Sequence, residues 1–238
     1  MGKTALGLNI AANLVLAKKP EAVLFFSLEM NKHAVMQRLI ATQAAVSLND
    51  VRSGFFGRGR WKDLTKAAAG FAEAPLYLND SPGLSLVEIA TLSRQLAVEL
   101  RRKGKNLGLI LIDYLQLIRW RPSGRSRREQ VVKIVRGLKQ IATELNVPVL
   151  VLSQVKRRVE LRDRHDQRPR LEDIPESPAI AQSADLIAFL YRDGYYRPSS
   201  PSLERKAELI LAKNTRGNTG VIPLEFLREY TLFKNASN

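Results

Sequence analysis

Residues 109–113 read Leu-Ile-Leu-Ile-Asp, four consecutive branched apolar residues followed by a single carboxylate. A run this short, apolar on both faces, is typical of a strand buried inside a parallel sheet. Similar runs recur along the chain and alternate with stretches of helical periodicity. This alternation predicts an α/β fold in which helices cover both faces of a mostly parallel, twisted sheet.

The predicted elements are bounded by turn residues or by charges. We predict six strands, over Ala22–Ser27, Leu109–Ile112, Val147–Leu152, Leu186–Leu190, Ala207–Leu211 and Val221–Phe226. The five main predicted helices cover Thr4–Ala17, Lys32–Val46, Arg60–Ala72, Leu86–Arg102 and Arg127–Leu145. The last two strands follow one another closely, which favours antiparallel strands at one edge of the sheet. Because the chain has no internal repeat and no low-complexity linker, we predict one domain over residues 1–238.

The chain begins Met1-Gly2-Lys3-Thr4 and continues directly into an Ala/Leu-rich helix. These residues match the second half of the phosphate-binding loop G-x-x-x-x-G-K-[ST], although the first glycine and the strand before it are missing. In that loop the glycine lets backbone amides approach phosphate, the lysine reaches the β and γ phosphates, and the hydroxyl faces Mg²⁺. An ordinary helix start explains the tripeptide equally well, so the choice between a phosphate-binding loop and a plain helix start depends on other residues.

Asp113 supplies that context. An apolar strand ending in aspartate has the form of a Walker B strand, whose carboxylate holds the water shell of Mg²⁺ beside the phosphate loop. An acid at a strand end is also a common turn or helix cap. Its pairing with Gly2-Lys3-Thr4, about 110 residues earlier, favours the magnesium-nucleotide interpretation.

Two further polar residues follow predicted strands. Glu29 comes after Val23–Ser27 and could polarise the water that attacks a γ-phosphate, or merely place negative charge at the start of the next helix. Gln154 follows Val149–Ser153 and could sense a γ-phosphate through its neutral amide, or cap the strand end. All these residues lie where an open α/β sheet binds its ligands.

Composition narrows the functional classes. The chain has 238 residues, no cysteine and two histidines, which excludes disulfide scaffolds, Cys-ligated zinc and thiol catalysis. Its longest apolar runs, such as Leu107–Ile112, are far shorter than the ~18 residues that span a bilayer. The start of the chain lacks the apolar region of a signal peptide, so we expect a cytoplasmic protein with no membrane partner.

The formal net charge is +15, which points to a polyanionic partner. Residues 119–170 contain fifteen basic and five acidic residues, so two thirds of the net charge lies in about a fifth of the chain. Single basic residues of this kind usually belong to solvated helix faces. The cluster as a whole favours binding to a phosphate backbone, because concentrated positive charge displaces condensed counterions from nucleic acid.

Taken together, these segments resemble the RecA-like motor domain of DnaB-type replicative helicases. The likeness rests on Gly2–Thr4, Phe26–Met30, Leu111–Leu117 and Val147–Gln154, and it continues through Arg168-Pro169, Asp173, Glu176-Ser177, Ala179–Asp185, Tyr191–Asp193 and Ala212-Lys213. It covers essentially the whole chain. The resemblance implies a RecA-like P-loop NTPase fold, in a ring-shaped, hexameric homo-oligomer that hydrolyses ATP with Mg²⁺ and unwinds duplex DNA while translocating on single-stranded DNA. Primase and a helicase loader are the further partners it implies.

The resemblance also assigns roles by position. Lys3 and Thr4 would bind phosphate and Mg²⁺ with Gly2, Glu29 would activate water, Asp113 would hold Mg²⁺ and Gln154 would sense the γ-phosphate. Lys213 would reach across the subunit interface to the neighbour's ATP, and Arg216 is the candidate for the trans-acting arginine finger. Residues expected to contact DNA are Arg125, Arg127, Arg157, Arg168, Glu176 and Ser177.

Four departures from the family pattern stand beside these expectations. We expect the printed residues to begin inside the phosphate loop and not to include the amino-terminal collar domain of the family. Residues 175–178 read Pro-Glu-Ser-Pro where the family has Arg-Glu-Ser-Gly, which removes a backbone donor facing DNA. Residues 213–217 read Lys-Asn-Thr-Arg-Gly where the family has Lys-x-Arg-x-Gly, so Arg216 is displaced by one position. In a strand this shift would turn the arginine side chain to the opposite face of the sheet, whereas in a loop Arg216 could still reach the neighbouring subunit's ATP.

Two alternatives therefore remain beside the helicase motor. One is a degenerate or truncated module that keeps the fold and the basic face, and binds nucleic acid or oligomerises without turnover. The other is a recombinase-like ATPase of the same fold, which would form filaments rather than closed rings.

Overall fold

The computed structural model describes residues 2–57, 59–120, 126–155, 167–175, 177–196 and 203–236. The helices are α1 (Lys3–Val15), α2 (Lys32–Gln43), α3 (Leu48–Ser53), α4 (Arg60–Glu73), α5 (Leu86–Arg102), α6 (Arg127–Leu145), α7 (Ser177–Ser183) and α8 (Asp193–Tyr196). The strands are β1 (Ala22–Ser27), β2 (Leu76–Asn79), β3 (Leu107–Asp113), β4 (Val149–Val151), β5 (Leu186–Tyr191), β6 (Lys206–Asn214), β7 (Gly220–Leu227) and β8 (Leu232–Asn235). In this part of the chain, no helix has the length and apolar character needed to cross a membrane.

The first four strands form a parallel sheet in the order β2-β1-β3-β4. The two central strands are buried because their side chains are apolar on both faces. On one face, alternate residues of β1 and β3 pack against α5 and α6; on the other, they pack against α1 and α2. Helices therefore cover both faces of the sheet, as the sequence predicts.

The longest helices begin at side-chain caps. Ser85 and Glu88 form a capping box at the start of α5, and Ser126 with Glu129 does the same for α6. α6 ends at Asn146, which adopts a left-handed conformation with φ 52°. These signals place both helices at the bounds that the sequence predicts.

The last four strands form an antiparallel sheet in the order β5-β6-β7-β8. The sequence predicts antiparallel strands at one edge of a single sheet, whereas the described residues form two sheets. β4 and β5 are the edge strands of their respective sheets, and no ladder of hydrogen bonds joins them. Val149 of β4 and Ile187 of β5 nevertheless belong to one hydrophobic cluster, so side-chain packing joins the two sheets.

Helix α1 contacts both sheets. A Cβ atom at Gly7 would lie 3.3 Å from Leu152 and 3.5 Å from Leu111, which shows how closely the helix approaches the parallel sheet. The buried side chain of Asn9 accepts a hydrogen bond from the backbone N–H of Phe233 in β8, at 2.7 Å. These contacts fix the start of α1 beside the carboxyl ends of β1 and β3.

Candidate nucleotide-binding site

The Gly2-Lys3-Thr4 tripeptide forms the start of α1. Gly2 has φ 104°, a conformation that favours glycine, and a Cβ atom there would lie 3.2 Å from the ring of Phe233. The carbonyl of Gly2 accepts the first helical hydrogen bond, from Leu6, at 2.9 Å. The free backbone N–H groups of this first turn carry partial positive charge, which suits a phosphate group.

Asp113 ends β3 and is only 1% exposed. Its Oδ2 accepts a hydrogen bond of 2.7 Å from the hydroxyl of Thr4, and its Oδ1 lies 3.8 Å from Lys3 Nζ. The Lys3 ammonium also lies 4.5 Å from the centre of the Tyr114 ring. The two motifs that the sequence separates by more than a hundred residues are therefore in direct contact.

The same residues fit a magnesium ion. Asp113 Oδ1 is buried and has no hydrogen-bond partner, so one carboxylate oxygen is available as a ligand. Carboxylate and hydroxyl oxygens are the ligands that Mg²⁺ prefers, and it usually binds through one or two carboxylates together with phosphates and water. Within the described ranges, no group of three or more His, Cys, Asp or Glu side chains could hold a metal ion. A magnesium ion at Asp113 would therefore need phosphate and water as further ligands.

Glu29 lies at the same edge of the sheet. Ser27, the last residue of β1, pairs in register with Asp113, and the backbone N–H of Leu28 donates to the carbonyl of Asp113 at 2.9 Å. The hydroxyl of Ser27 donates to the carbonyl of Met30 at 2.6 Å, which closes the turn that carries Glu29. The Glu29 side chain is exposed, so water can reach it.

Gln154 follows β4 at this edge. The backbone N–H of Leu152 donates to the carbonyl of Ile112 at 2.9 Å, which holds the end of β4 beside the end of β3. The Gln154 side chain is exposed. The structure therefore brings Lys3, Thr4, Glu29, Asp113 and Gln154 to one edge, as the sequence predicts, although their roles there stay predictions.

Lys213 and Arg216 have different surroundings. Lys213, in β6, donates to the carbonyls of Ala181 and Ala184 at 2.5 and 2.7 Å, so its ammonium binds the end of α7 in its own chain. Arg216 lies in the turn between β6 and β7 and is exposed. The displaced arginine is thus in a turn rather than a strand, so a shift of one position does not by itself reverse the direction of its side chain.

The residues expected to bind DNA are only partly described. Arg127 begins α6, and its guanidinium donates to the carbonyl of Gln116 at 2.9 Å. Arg168 makes a bidentate ion pair with Glu208, at 2.7 and 2.5 Å, which engages the guanidinium inside the chain. Ser177 begins α7, and the remaining three expected residues, Arg125, Arg157 and Glu176, lie outside the described residues.

Two further residues lie near the site, and the sequence predicts no role for either. Gln116 hydrogen-bonds the strand end that carries Gln154, through both its side-chain atoms. Burial and the nearby Arg52 lower the pKa of Arg38, while Asp113 and Glu29 act in the opposite direction, which puts Arg38 within electrostatic reach of both carboxylates. A polar residue inside a leucine-rich segment was the available signal for Gln116, and Arg38 offered none.

Similarity to known proteins extends over the whole chain. The family described as "DnaB-like helicase C terminal domain" matches residues 1–235. The chain is 42% identical over 238 residues to "Replicative DNA helicase DnaC" of Bacillus subtilis (strain 168), and 41% identical over 238 residues to "Replicative DNA helicase DnaB" of Geobacillus stearothermophilus. These alignments include 99% of this chain and 50% of each relative, so the chain spans about half the length of the curated relatives it matches.

Solved structures give the same result. The chain superimposes with a TM-score of 0.91 and 37% identity on a structure titled "The Structure Of A DnaB-Like Replicative Helicase And Its Interactions With Primase", covering 100% of this chain and 55% of that one. For a second solved structure, described as an ATPase domain, the TM-score is 0.90 with 37% identity, covering 99% of this chain and 81% of that one.

Proposed function

Since the chain belongs to the family of DnaB-like helicase C-terminal domains, we propose that it is an ATP-dependent motor that translocates on single-stranded DNA and unwinds duplex DNA at the fork. The family resemblance and the RecA-like fold expected from the sequence are both confirmed. The activity remains a proposal, because the chain spans half the length of its curated relatives.

One observation carries the proposal most directly. The hydroxyl of Thr4 donates to the buried carboxylate of Asp113 at 2.7 Å, and Lys3 Nζ lies 3.8 Å from the same carboxylate. A cation, a hydroxyl and a carboxylate meet there at the positive end of a 13-residue helix. This is the set of groups needed to bind a polyphosphate together with a divalent cation.

Each side chain then has a defined task. Backbone amides of the α1 start and the Lys3 ammonium bind the β and γ phosphates of ATP. Asp113 and Thr4 would hold Mg²⁺, which supplies charge neutralisation for the phosphates when bound. Glu29 accepts the proton of the water that attacks the γ-phosphate, and Gln154 contacts the γ-phosphate before the bond to the β-phosphate breaks.

The proposed assembly is the one that the family resemblance implies. In the proposed hexameric ring, Arg216 in the exposed β6–β7 turn acts on the ATP of the neighbouring subunit, together with Lys213 once it leaves the carbonyls of α7. Arg125, Arg127, Arg157, Arg168, Glu176 and Ser177 are proposed to contact single-stranded DNA, with Arg168 first leaving Glu208. We further propose primase as a partner, since one similar structure is titled by its interactions with primase. The helicase loader as a second partner is proposed from the family resemblance alone, and the cytoplasm as the location is proposed from the sequence.

The direct test is strand displacement from a forked DNA duplex, with ATP and Mg²⁺, by the 238-residue chain. We expect displacement that requires ATP and is lost in Lys3→Met, because methionine keeps the length of the side chain but not its charge. Displacement that is independent of ATP, or equal in the variant, would contradict the proposal.

The degenerate or truncated module stays the second candidate for two reasons. Prolines at residues 175 and 178 flank Glu176 and Ser177, which are proposed to contact DNA, and the candidate finger arginine is displaced to Arg216. Calorimetric titration with ATP separates the two. Tight ATP binding without any hydrolysis would favour the module, whereas binding accompanied by turnover favours the motor. Closed rings rather than filaments in electron micrographs would exclude the recombinase-like alternative.

A further inference from the structure

Gln116 connects three parts of the nucleotide-binding edge. It lies three residues after Asp113, in the short 3₁₀ helix Leu115–Leu117, and is half-buried. Its side-chain Nε2 donates to the hydroxyl of Ser153 at 2.9 Å, and its Oε1 accepts from the backbone N–H of Gln154 at 3.4 Å. One carboxamide therefore bonds two consecutive residues at the end of β4.

The backbone of Gln116 makes the third connection. Its carbonyl accepts a hydrogen bond of 2.9 Å from the guanidinium of Arg127, the first residue of α6. The segment itself is anchored, since Leu115 is 3% exposed and its N–H donates to the carbonyl of Leu152 at 2.9 Å. A shift of Gln154 along the site would therefore be transmitted to Gln116 and to the start of α6.

These bonds join two sites that the proposed function requires to communicate. Gln154 lies at the same sheet edge as the proposed phosphate site, while Arg127 belongs to the basic residues proposed to contact DNA. Coupling between two sites needs a structural element whose position depends on both of them. Gln116 is such an element, because its carboxamide bonds Ser153 and Gln154 while its backbone carbonyl bonds Arg127. The β3–β4 ladder and the bond from the Leu152 N–H to the Ile112 carbonyl already hold the two strands together, and the Gln116 side chain adds a link from the segment after Asp113 to Ser153 and Gln154.

We propose that Gln116 is a positioning residue that holds Gln154 in register with Asp113 and so couples the nucleotide state to the affinity for single-stranded DNA. This inference rests on the proposed function and assigns the coupling within it. In this proposal Gln116 acts through Gln154 and has no contact of its own with the phosphates or the reacting water. Its removal should therefore weaken the coupling more than it weakens either binding event.

The test compares three variants of the 238-residue chain. Gln116→Leu keeps the volume but loses both side-chain bonds. Gln116→Glu keeps acceptor oxygens for the Gln154 N–H and for the Ser153 hydroxyl proton. Gln140→Leu is the matched control, because Gln140 is an exposed glutamine on α6. Fluorescence anisotropy gives the dissociation constant for a labelled oligothymidine, with and without a non-hydrolysable ATP analogue and Mg²⁺, and the ratio of the two constants measures the coupling.

We expect Gln116→Leu to reduce this ratio by about fivefold or more, the lower range of allosteric coupling. Gln116→Glu should retain most of the wild-type ratio, and Gln140→Leu all of it. In Gln116→Leu, calorimetric affinity for the analogue without DNA should stay within about twofold of wild type, with an unchanged melting temperature. These last readouts separate positioning from a general loss of structure.

Several results would overturn the inference. A wild-type ratio in Gln116→Leu would reject it and leave the proposed function intact. Equal losses in Gln116→Leu and Gln116→Glu, or a parallel loss of analogue binding, would assign Gln116 a merely structural role. A wild-type chain whose DNA affinity does not respond to the analogue would reject the proposed function, and the coupling with it.

Discussion

Replacing Lys213 with methionine tests whether the hydrogen bonds of its ammonium stabilise the folded chain. The Lys213 ammonium donates two hydrogen bonds, at 2.5 and 2.7 Å, to carbonyls at the end of α7, and its strand partner is Ile187 in β5. Hydrogen bonds to charged groups contribute about 1.5–3 kcal/mol each when well shielded. Lys213 is partly exposed, so hydrogen bonds to water in the unfolded chain offset part of this contribution. Methionine keeps the packing of the aliphatic part of the side chain.

The expected loss in the free energy of unfolding is therefore about 2 kcal/mol. For a chain of 238 residues this corresponds to a fall of roughly 4–8 °C in melting temperature. Urea denaturation gives the free energy and calorimetry the melting temperature. Lys206→Met, at an exposed position of the same strand, is the matched control and should change the free energy by less than about 0.5 kcal/mol. Equal stabilities for the two variants would refute the assigned role of these bonds.

Three further predictions concern charge. Asp113→Asn keeps an acceptor for Thr4 but loses the magnesium-binding charge, so Mg²⁺-dependent ATP affinity in calorimetry should fall at least about tenfold, and an unchanged affinity would reject the site. Affinity for single-stranded DNA should decline steeply between low and moderate salt; a flat response would exclude phosphate-backbone binding. The hydrogen bond from Lys139 lowers the pKa of Asp185 in the folded chain. This ion pair should therefore stabilise the fold, by less than about 1 kcal/mol, above the unfolded-state pKa of Asp185, and the stabilisation should be lost as pH falls through the folded-state pKa. Asp185→Asn should remove this pH dependence from the free energy of unfolding measured in urea.

Local signals explain which elements the sequence predicts well. The bounds of α5 and α6 agree with prediction because Ser-x-x-Glu capping boxes mark their starts. The strand β1 agrees because all six residues are apolar or small and buried. The short elements α3, α7, α8, β2 and β8 are not among the predicted elements, since four to seven residues carry too little periodicity to be recognised.

The candidate site was predictable for a topological reason. Parallel strands end at one edge of the sheet, so residues that follow different strands meet there without any knowledge of side-chain positions. The connections between side chains were not predictable in this way. Arg168 was expected on DNA, but its bidentate pairing with Glu208 depends on how a segment outside the sheets packs against β6.

Hydrolysis of ATP by the 238-residue chain, measured with and without single-stranded DNA, tests the central claim most directly. We expect DNA to accelerate hydrolysis in the wild-type chain. In Glu29→Gln, turnover should fall by about two orders of magnitude or more, because the amide accepts a proton poorly, while calorimetric ATP affinity stays near the wild-type value. Hydrolysis that ignores DNA, or equal turnover in Glu29→Gln and the wild type, would contradict the assignment of this edge as the site of a DNA-driven ATPase.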